Sequence, residues 1–508
     1  MTTFLRSSAL LRWTLCCVLV AALIHLALGF TVEFSVDEAH YALYAKHLAW
    51  SYFDHPPLVG WIQWPLVVND FSEGVIRFIP EMLWLISCAL VYYITNDLIL
   101  YLQTNTRNSL AQQLPSKQIA SIAAVIAIVL APLPHVLAIG LLPDSLLTPL
   151  VLTVLWLAIC WLQQAQQFYV WQWIVLGVVL GLAGLSKYTA IFSALALALV
   201  FLLSPRKRWL NQSGFWVACL IALVAISPII VWNWANAWIS FQYQINHGGG
   251  GAWSWMGIAR FFGIQILAYG VLLPIGGIVF LRHFLSFAKS QLLALLGFFF
   301  LPFTLFAILS AGGGLPHWTS PAWFCLAPFA GVGLAALWQK SYRWLLSLCA
   351  GLQLLLCLLG FTLVFIGGIS FGAQKNNPIA DLYGWNLAGA RAAQLVQEKQ
   401  AAGTAVQNWT LASRLAWYSE PLPVFVLDQR QDQFDLWFGP LPENANVILV
   451  NWSGLPFAAP INSSDPRGYF NTCETIETLA INRFNQALSR FDFSFCQGWH
   501  PKALSLRL

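Results

Sequence analysis

Acids, imidazoles and a lysine stand at a few points of an otherwise apolar chain, and chemistry is possible at those points. Asp37-Glu38 opens a polar stretch after the first apolar run. Adjacent carboxylates point to different sides of a helix, so one of them is expected to face a site. There it serves as a general base if its pKa stays below ambient pH. The plain alternative is a helix cap, since Ser35 and Asp37 are good N-cap residues. Phe53-Asp54-His55-Pro56-Pro57-Leu58 is more specific. Its prolines fix the backbone and present an imidazole beside a carboxylate, a combination that holds a metal or a phosphate. A Pro-stabilised turn with a solvated polar pair is the alternative. Asp144 follows Pro143 in a very short connection and either caps the next helix or joins Asp37 on one face. Lys187, in Gly184-Leu185-Ser186-Lys187-Tyr188, either snorkels to an interface or turns inward to a phosphate or an acid. Asn246-His247-Gly248-Gly249-Gly250-Gly251 and Gly312-Gly313-Gly314-Leu315-Pro316-His317-Trp318 are glycine-rich turns. They serve as lids that order on substrate binding, or as plain connectors. Walker, dinucleotide-binding and zinc-protease motifs do not occur, so no nucleotide cofactor is expected.

The elements that position these groups are membrane helices. Of 508 residues, 59% are hydrophobic and 9% charged, and the mean hydropathy is +0.68. A soluble domain carries about 25% charge. A soluble globule and a disordered chain are therefore excluded, and a net charge of +5 is no field for binding a polyanion. The 26 Trp and 35 Phe imply interfacial belts or an aromatic-lined cavity. A crossing needs roughly 20 apolar residues. Eleven stretches qualify, near 9–30, 78–100, 118–139, 145–163, 170–186, 188–203, 214–232, 258–281, 290–310, 320–338 and 344–370. The first reads as an uncleaved anchor rather than a removed signal peptide.

Basic loops set the orientation. With the N-terminus inside, Arg6, Arg12, Arg107, Lys117, Arg206, Lys207, Arg208, Arg282, Lys289, Lys340 and Arg343 are cytoplasmic. Lys46, Arg77, Lys187 and Arg260 are then outside. This bias requires the stretch 170–203 to be split at Lys187. An odd number of crossings places the C-terminus outside. Residues 371–508 hold ten of the 25 basic residues and read as short strands, such as Val424–Leu427 and Val447–Val450, alternating with helices. The expected organisation is a transmembrane domain over 1–370, with a long first outer loop over 31–77, and a soluble α/β domain over 371–508. Eight of the ten cysteines lie in apolar spans; Cys473 and Cys496 lie in the outer domain, where a disulfide is favoured over two buried thiols. The first outer loop carries acids and histidines among Tyr41, Tyr44, Trp50, Trp61 and Trp64, and its apolar spacing suggests short interfacial helices.

Val36-Asp37-Glu38-Ala39-His40-Tyr41, followed by Tyr52-Phe53-Asp54-His55-Pro56-Pro57-Leu58, resembles the dolichyl-phosphate-mannose-protein mannosyltransferase-like family. These are bacterial GT-C glycosyltransferases related to the lipid A aminoarabinose transferase. Leu142–Leu147, Gly181–Thr189, and His317-Trp318 with Pro321-Ala322 fit the family's later motifs. Asp381–Trp385, Ala412–Tyr418 and Gln433–Trp437 resemble its outer domain. The resemblance implies a polytopic GT-C fold in the bacterial inner membrane, with the active site and C-terminal domain periplasmic. It also implies a sugar donor carried on a polyprenyl (undecaprenyl) phosphate. The acceptor would be lipid A or lipopolysaccharide, another cell-envelope glycan, or a protein. The first-loop acid maps to Asp37 with Glu38 beside it, and Asp144 matches the second-loop acid. Asp54-His55 departs from the Glu-Lys pair that the aminoarabinose transferase has at this place, which puts metal and phosphate contacts there in doubt. Should a divalent metal ion take part, Asp54 and His247 are the candidate ligands.

The implied mechanism is a single inverting displacement. Asp37 takes the acceptor's proton, Asp144 orients the acceptor or the base, and Lys187 and His55 meet the leaving phosphate. Tyr41, Asp54, His317 and Trp318 are the candidate substrate contacts. A lipid-linked sugar flippase or transporter is the rival from another class. It predicts charges near the bilayer midplane and internal symmetry, whereas the charges here collect at one surface. A membrane-anchored binding protein is the other rival, and it leaves the acidic first loop unexplained.

Overall fold

The computed structural model describes residues 2–105, 114–163, 168–204, 209–248, 254–285, 289–309, 314–368 and 377–502, without the side chains of residues 2–8, 247, 248 and 289. It is a mostly helical, multi-pass membrane protein with a small sheet near its C-terminal end. Every one of the eleven apolar stretches is helical, but they are not equivalent. Among the described residues seven helices are long and apolar enough to cross a membrane: Ala9–Gly29, Glu73–Thr104, Pro143–Gln163, Ser213–Ala235, Ser290–Leu309, Pro316–Gln339 and Arg343–Ile366. Two further stretches are bent pairs, Lys117–Val129 with Pro132–Ile139 at 71° and Trp255–Tyr269 with Leu272–Phe284 at 103°. The last two, Val170–Ser186 and Tyr188–Leu203, are shorter apolar helices. At about 1.5 Å per residue they fall short of a hydrocarbon core of about 30 Å. The break between them is at Lys187, whose backbone is extended (φ −158°, ψ 141°), where the charge bias required a split. Arg107, Arg206, Lys207 and Arg208, which carry much of that bias, lie outside the described residues.

Bends inside an apolar layer expose backbone groups that must find partners. One side chain meets this need at both bent pairs. Gln353, buried on Arg343–Ile366, accepts at Oε1 from the Val271 and Leu272 amides, each at 3.1 Å. Its Nε2 donates to the Leu130 carbonyl at 3.0 Å, and Cys357 Sγ approaches the same carbonyl at 3.4 Å. Gly270 sits beneath it at φ +74°, where a Cβ would lie 2.0 Å from Gln353 Nε2, so this position admits only glycine. A second buried chain runs from Glu81 to His25 (2.8 Å), from His25 to His135 (2.8 Å) and from His135 to the Val129 carbonyl (2.8 Å), joining two long helices to both arms of the first bent pair.

The C-terminal part carries a five-stranded sheet of β1 (Thr404–Val406), β2 (Val424–Val426), β3 (Val447–Trp452), β4 (Gly468–Arg483) and β5 (Gln486–Pro501) in the order β2-β1-β3-β5-β4. The first three strands are parallel, and β5 pairs antiparallel with both β3 and β4. Helices Trp409–Tyr418, between β1 and β2, and Gln433–Phe438, between β2 and β3, lie in the connections that parallel strands demand. Cys473 and Cys496 stand opposite each other on β4 and β5 and form the expected disulfide.

Candidate active site

The loop over 31–77 folds into short helices, Val36–Lys46, Leu58–Val67 and Glu73–Ile76, as its spacing suggested. Ser35 caps the first of them in a reciprocal box with Glu38. Glu38 then takes Arg77 Nε at 2.7 Å and Nη2 at 3.1 Å, while Arg77 Nη1 reaches the carbonyls of Gly29 and Val32 at 2.6 and 2.7 Å. Both side chains are buried, and Glu38 does not line the cavity described below. Glu38, expected among the catalytic groups, is thus engaged by Arg77 and closes the loop. Asp37, about 100° further round the helix, faces the other way.

That way lies a cavity of about 580 Å³. Asp37, Tyr41, Asp54, His55, Lys187, His317 and Trp318 all line it. The sequence-derived candidates are therefore brought together from elements far apart in the chain. Among the described residues no hydrogen-bond donor reaches the Asp37 carboxylate. Burial raises its pKa above the ordinary carboxylate value, against the pull of His317, His40 and Lys187. Asp54 is the opposite case. Its burial is outweighed by His40 (Nε2 at 3.5 Å), His55 (Nε2 at 4.0 Å) and a short hydrogen bond from the Tyr44 hydroxyl, which together hold it well below the usual range. The His55 imidazole is pushed down to about 4, first by burial, and is neutral at pH 7.

Asp144 sits just behind the cavity wall, 1% exposed, and binds Lys187 Nζ at 2.6 Å. His317 Nε2 lies 3.9 Å from the same carboxylate oxygen, and Oδ1 of Asp144 has no hydrogen-bond partner among the described residues. The lysine thus turns inward rather than snorkelling, and its partner is an acid.

The remaining wall comes from the C-terminal part through Trp409, Arg430, Asp432, Gln433 and Phe434. Gln433 Oε1 accepts from the Phe53 amide at 2.8 Å, and the Arg430 guanidinium lies over the Tyr243 ring at 5.5 Å. Asp432 is 2% exposed, with Oδ2 unpartnered, and burial beside Asp435 and Asp428 pushes its pKa up to about 8. The first loop is stitched to this part at several points. The Glu33 carboxylate caps the helix Trp385–Lys399 through the Gly384 and Trp385 amides (3.0 and 2.6 Å), the Tyr418 hydroxyl meets the Phe34 amide (2.8 Å), and His40 meets Ser413 (3.2 Å). Sequence reasoning assigned no role to His40, Tyr243, Trp409, Arg430 or Asp432. The one available signal was the polar run Asp428-Gln429-Arg430-Gln431-Asp432 directly after a strand.

The metal option does not draw support from this arrangement. Among the described residues no three His, Cys, Asp or Glu side chains are placed to hold an ion. Asp54 is already engaged by Tyr44 and His40, and the His247 side chain lies outside the described set, as do Gly249–Gly251 and Gly312-Gly313 of the glycine-rich turns.

Residues 109–232 match the family model described as dolichyl-phosphate-mannose-protein mannosyltransferase. No curated protein matches the chain. Among solved structures, ArnT from Cupriavidus metallidurans in the apo state is similar over 96% of this chain and 98% of that one, with TM-score 0.62 and 14% identity. The same protein bound to undecaprenyl phosphate is similar over 95% and 98%, with TM-score 0.57 and 14% identity. The archaeal oligosaccharyltransferase AglB from Archaeoglobus fulgidus, in complex with an inhibitory peptide and a dolichol-phosphate, is similar over 80% and 63%, with TM-score 0.50 and 12% identity. The chain has the GT-C fold of these proteins, and the resemblance read from its motifs is borne out.

Proposed function

We propose that this protein is an integral-membrane glycosyltransferase that moves a sugar from a polyprenyl phosphate to a hydroxyl acceptor, on the periplasmic side of the bacterial inner membrane. One observation carries the reading: Asp37, whose carboxylate no hydrogen-bond donor among the described residues reaches, faces a cavity that also presents Lys187 and the neutral His55, inside a GT-C fold. The bound undecaprenyl phosphate and dolichol-phosphate of the structural neighbours support the donor class.

In the proposed reaction Asp37 accepts the proton of the acceptor hydroxyl as its oxygen bonds to the anomeric carbon. The bond from that carbon to the phosphate oxygen breaks on the opposite face, giving inversion and free polyprenyl phosphate. A phosphate is a weakly basic leaving group, so it needs charge stabilisation more than a proton. Lys187 supplies positive charge and His55 a neutral N–H. Asp144 holds the Lys187 ammonium and sets where it points. Tyr41, Asp54, His317 and Trp318 form the sugar's surroundings. The apolar part of the cavity lining, including Phe192, Leu305, Phe306 and Leu309, suits the first isoprene units. No step runs through a metal ion. The acceptor is lipid A or lipopolysaccharide, another envelope glycan, or a protein.

The test is mass spectrometry of envelope lipids, glycans and proteins from cells with and without the gene, complemented by the wild type or Asp37→Asn. One sugar lost from one class of molecule, restored by the wild type only, is expected and names the acceptor. An intact glycan profile, with the lipid-linked sugar failing to reach the outer leaflet, would replace the transferase by a flippase.

A further inference from the structure

Strands β4 and β5 form a hairpin with sixteen residues on each side. It turns at Phe484-Asn485, both with positive φ (47° and 61°). A two-residue turn with positive φ at both positions favours Asn-Gly or Asp-Gly, and a bulky aromatic at the first position is disfavoured. Among the described residues the Phe484 ring meets Phe365 and the Arg483 guanidinium, yet it stays 59% exposed. A local rule broken with so little cover inside the fold points to a partner outside it.

The surroundings identify that partner. The tip stands at the C-terminal end of Arg343–Ile366, a span whose apolar surface is mostly turned outward. Phe484 and Phe365 rings are 5.8 Å apart. Arg483 Nε donates to the Phe365 carbonyl at 3.0 Å, and its guanidinium lies 4.4 Å from the Tyr383 ring and 5.1 Å from the Phe484 ring. The Tyr383 hydroxyl bonds the Val364 carbonyl. These contacts hold the tip at the depth where the last long helix leaves the apolar layer. Aromatic rings favour this zone, and an arginine there keeps its stem apolar and its head wet.

We infer that the β4–β5 tip is a membrane-surface anchor: Phe484 enters the headgroup–glycerol zone of the bilayer beside Phe365, with Arg483 at its aqueous edge, and ties the C-terminal sheet to the membrane. The inference is independent of the transferase reading and rests only on the chain being a membrane protein.

The full chain in phosphatidylethanolamine–phosphatidylglycerol nanodiscs, with an environment-sensitive fluorescent amino acid encoded at position 484, tests it. Expected are blue-shifted emission and quenching by lipids spin-labelled near the headgroup. The same probe at Ile461, an exposed position of the same domain, should stay unquenched. Equal, water-like emission at both positions would overturn the anchor. Phe484→Gly gives a second reading, because glycine relieves the positive φ while removing the ring. With an anchor, the variant gains thermal stability in detergent but loses part of the stabilisation that nanodiscs give the wild type. An equal gain in both media would sink the proposal.

Discussion

Two buried ion pairs sit close in the fold and are built differently. In Glu38–Arg77, both carboxylate oxygens and all three guanidinium nitrogens have partners, and neither residue lines the cavity beside Asp37. In Asp144–Lys187, one carboxylate oxygen has no hydrogen-bond partner among the described residues, and the lysine lines the cavity beside Asp37. A saturated pair has one geometry and holds backbone in place. An unsaturated pair beside a cavity keeps hydrogen-bonding capacity for something that enters. Buried polar groups are ordinarily satisfied, so under the proposed function the open oxygen of Asp144, just behind the cavity wall, is a place for an entering group or a bound water to complete.

The contrast is sharpest at two neighbouring residues. Asp37→Asn should lower turnover by about 10²–10⁴-fold, the range for a lost general base, with thermal unfolding unchanged. In the wild type the acid limb of the pH–rate profile should lie above the ordinary carboxylate value, because burial raises the Asp37 pKa and the base must be ionised. Glu38→Gln should behave oppositely. It leaves the Arg77 charge buried without its counter-ion, a loss of about 3–5 kcal/mol in stability, while the molecules that remain folded keep near-normal turnover. Equal effects of the two substitutions on turnover per folded molecule would break the distinction. Lys187→Met likewise leaves the buried Asp144 carboxylate without its counter-ion, at a cost of up to about 3–5 kcal/mol. The double variant Lys187→Met/Asp144→Leu should recover that stability but not activity, as unfolding and transfer assays on the same preparations would show.

A pH effect concerns Asp432, pushed up to about 8. From about pH 4 to about pH 8 the folded chain keeps a proton that the unfolded chain has lost, so stability falls as pH rises through that window and levels off above it. Asp432→Asn, which preserves the cap on the Phe434 amide, should flatten this slope in Tm measured against pH.

The helices were legible because apolar runs of this length have no other explanation, and the break at Lys187 followed from charge balance. The spans 170–186 and 188–203 already read as short, but hydropathy did not reveal that two other stretches are bent, because bending is fixed by partners such as Gln353 rather than by the run itself. At the site, the adjacency of Asp37 and Glu38 told that they diverge, but not which one finds an arginine 39 residues away. The cavity wall from Trp409 and Arg430–Phe434 was illegible, since nothing local in a polar turn says that it will meet Phe53 across the fold.

Gln353 carries a consequence for biogenesis. The Leu130 carbonyl waits for a donor made 223 residues later, and the Leu272 amide for an acceptor made 81 residues later. Until that glutamine is inserted, both bends carry open backbone valences within lipid. The bundle therefore cannot be completed in the order of its synthesis. The nascent chain needs a temporary polar host, from water or from the insertion machinery, and a ribosome stalled before residue 353 would leave a chain with two unfinished helices, open to the membrane's quality-control proteases.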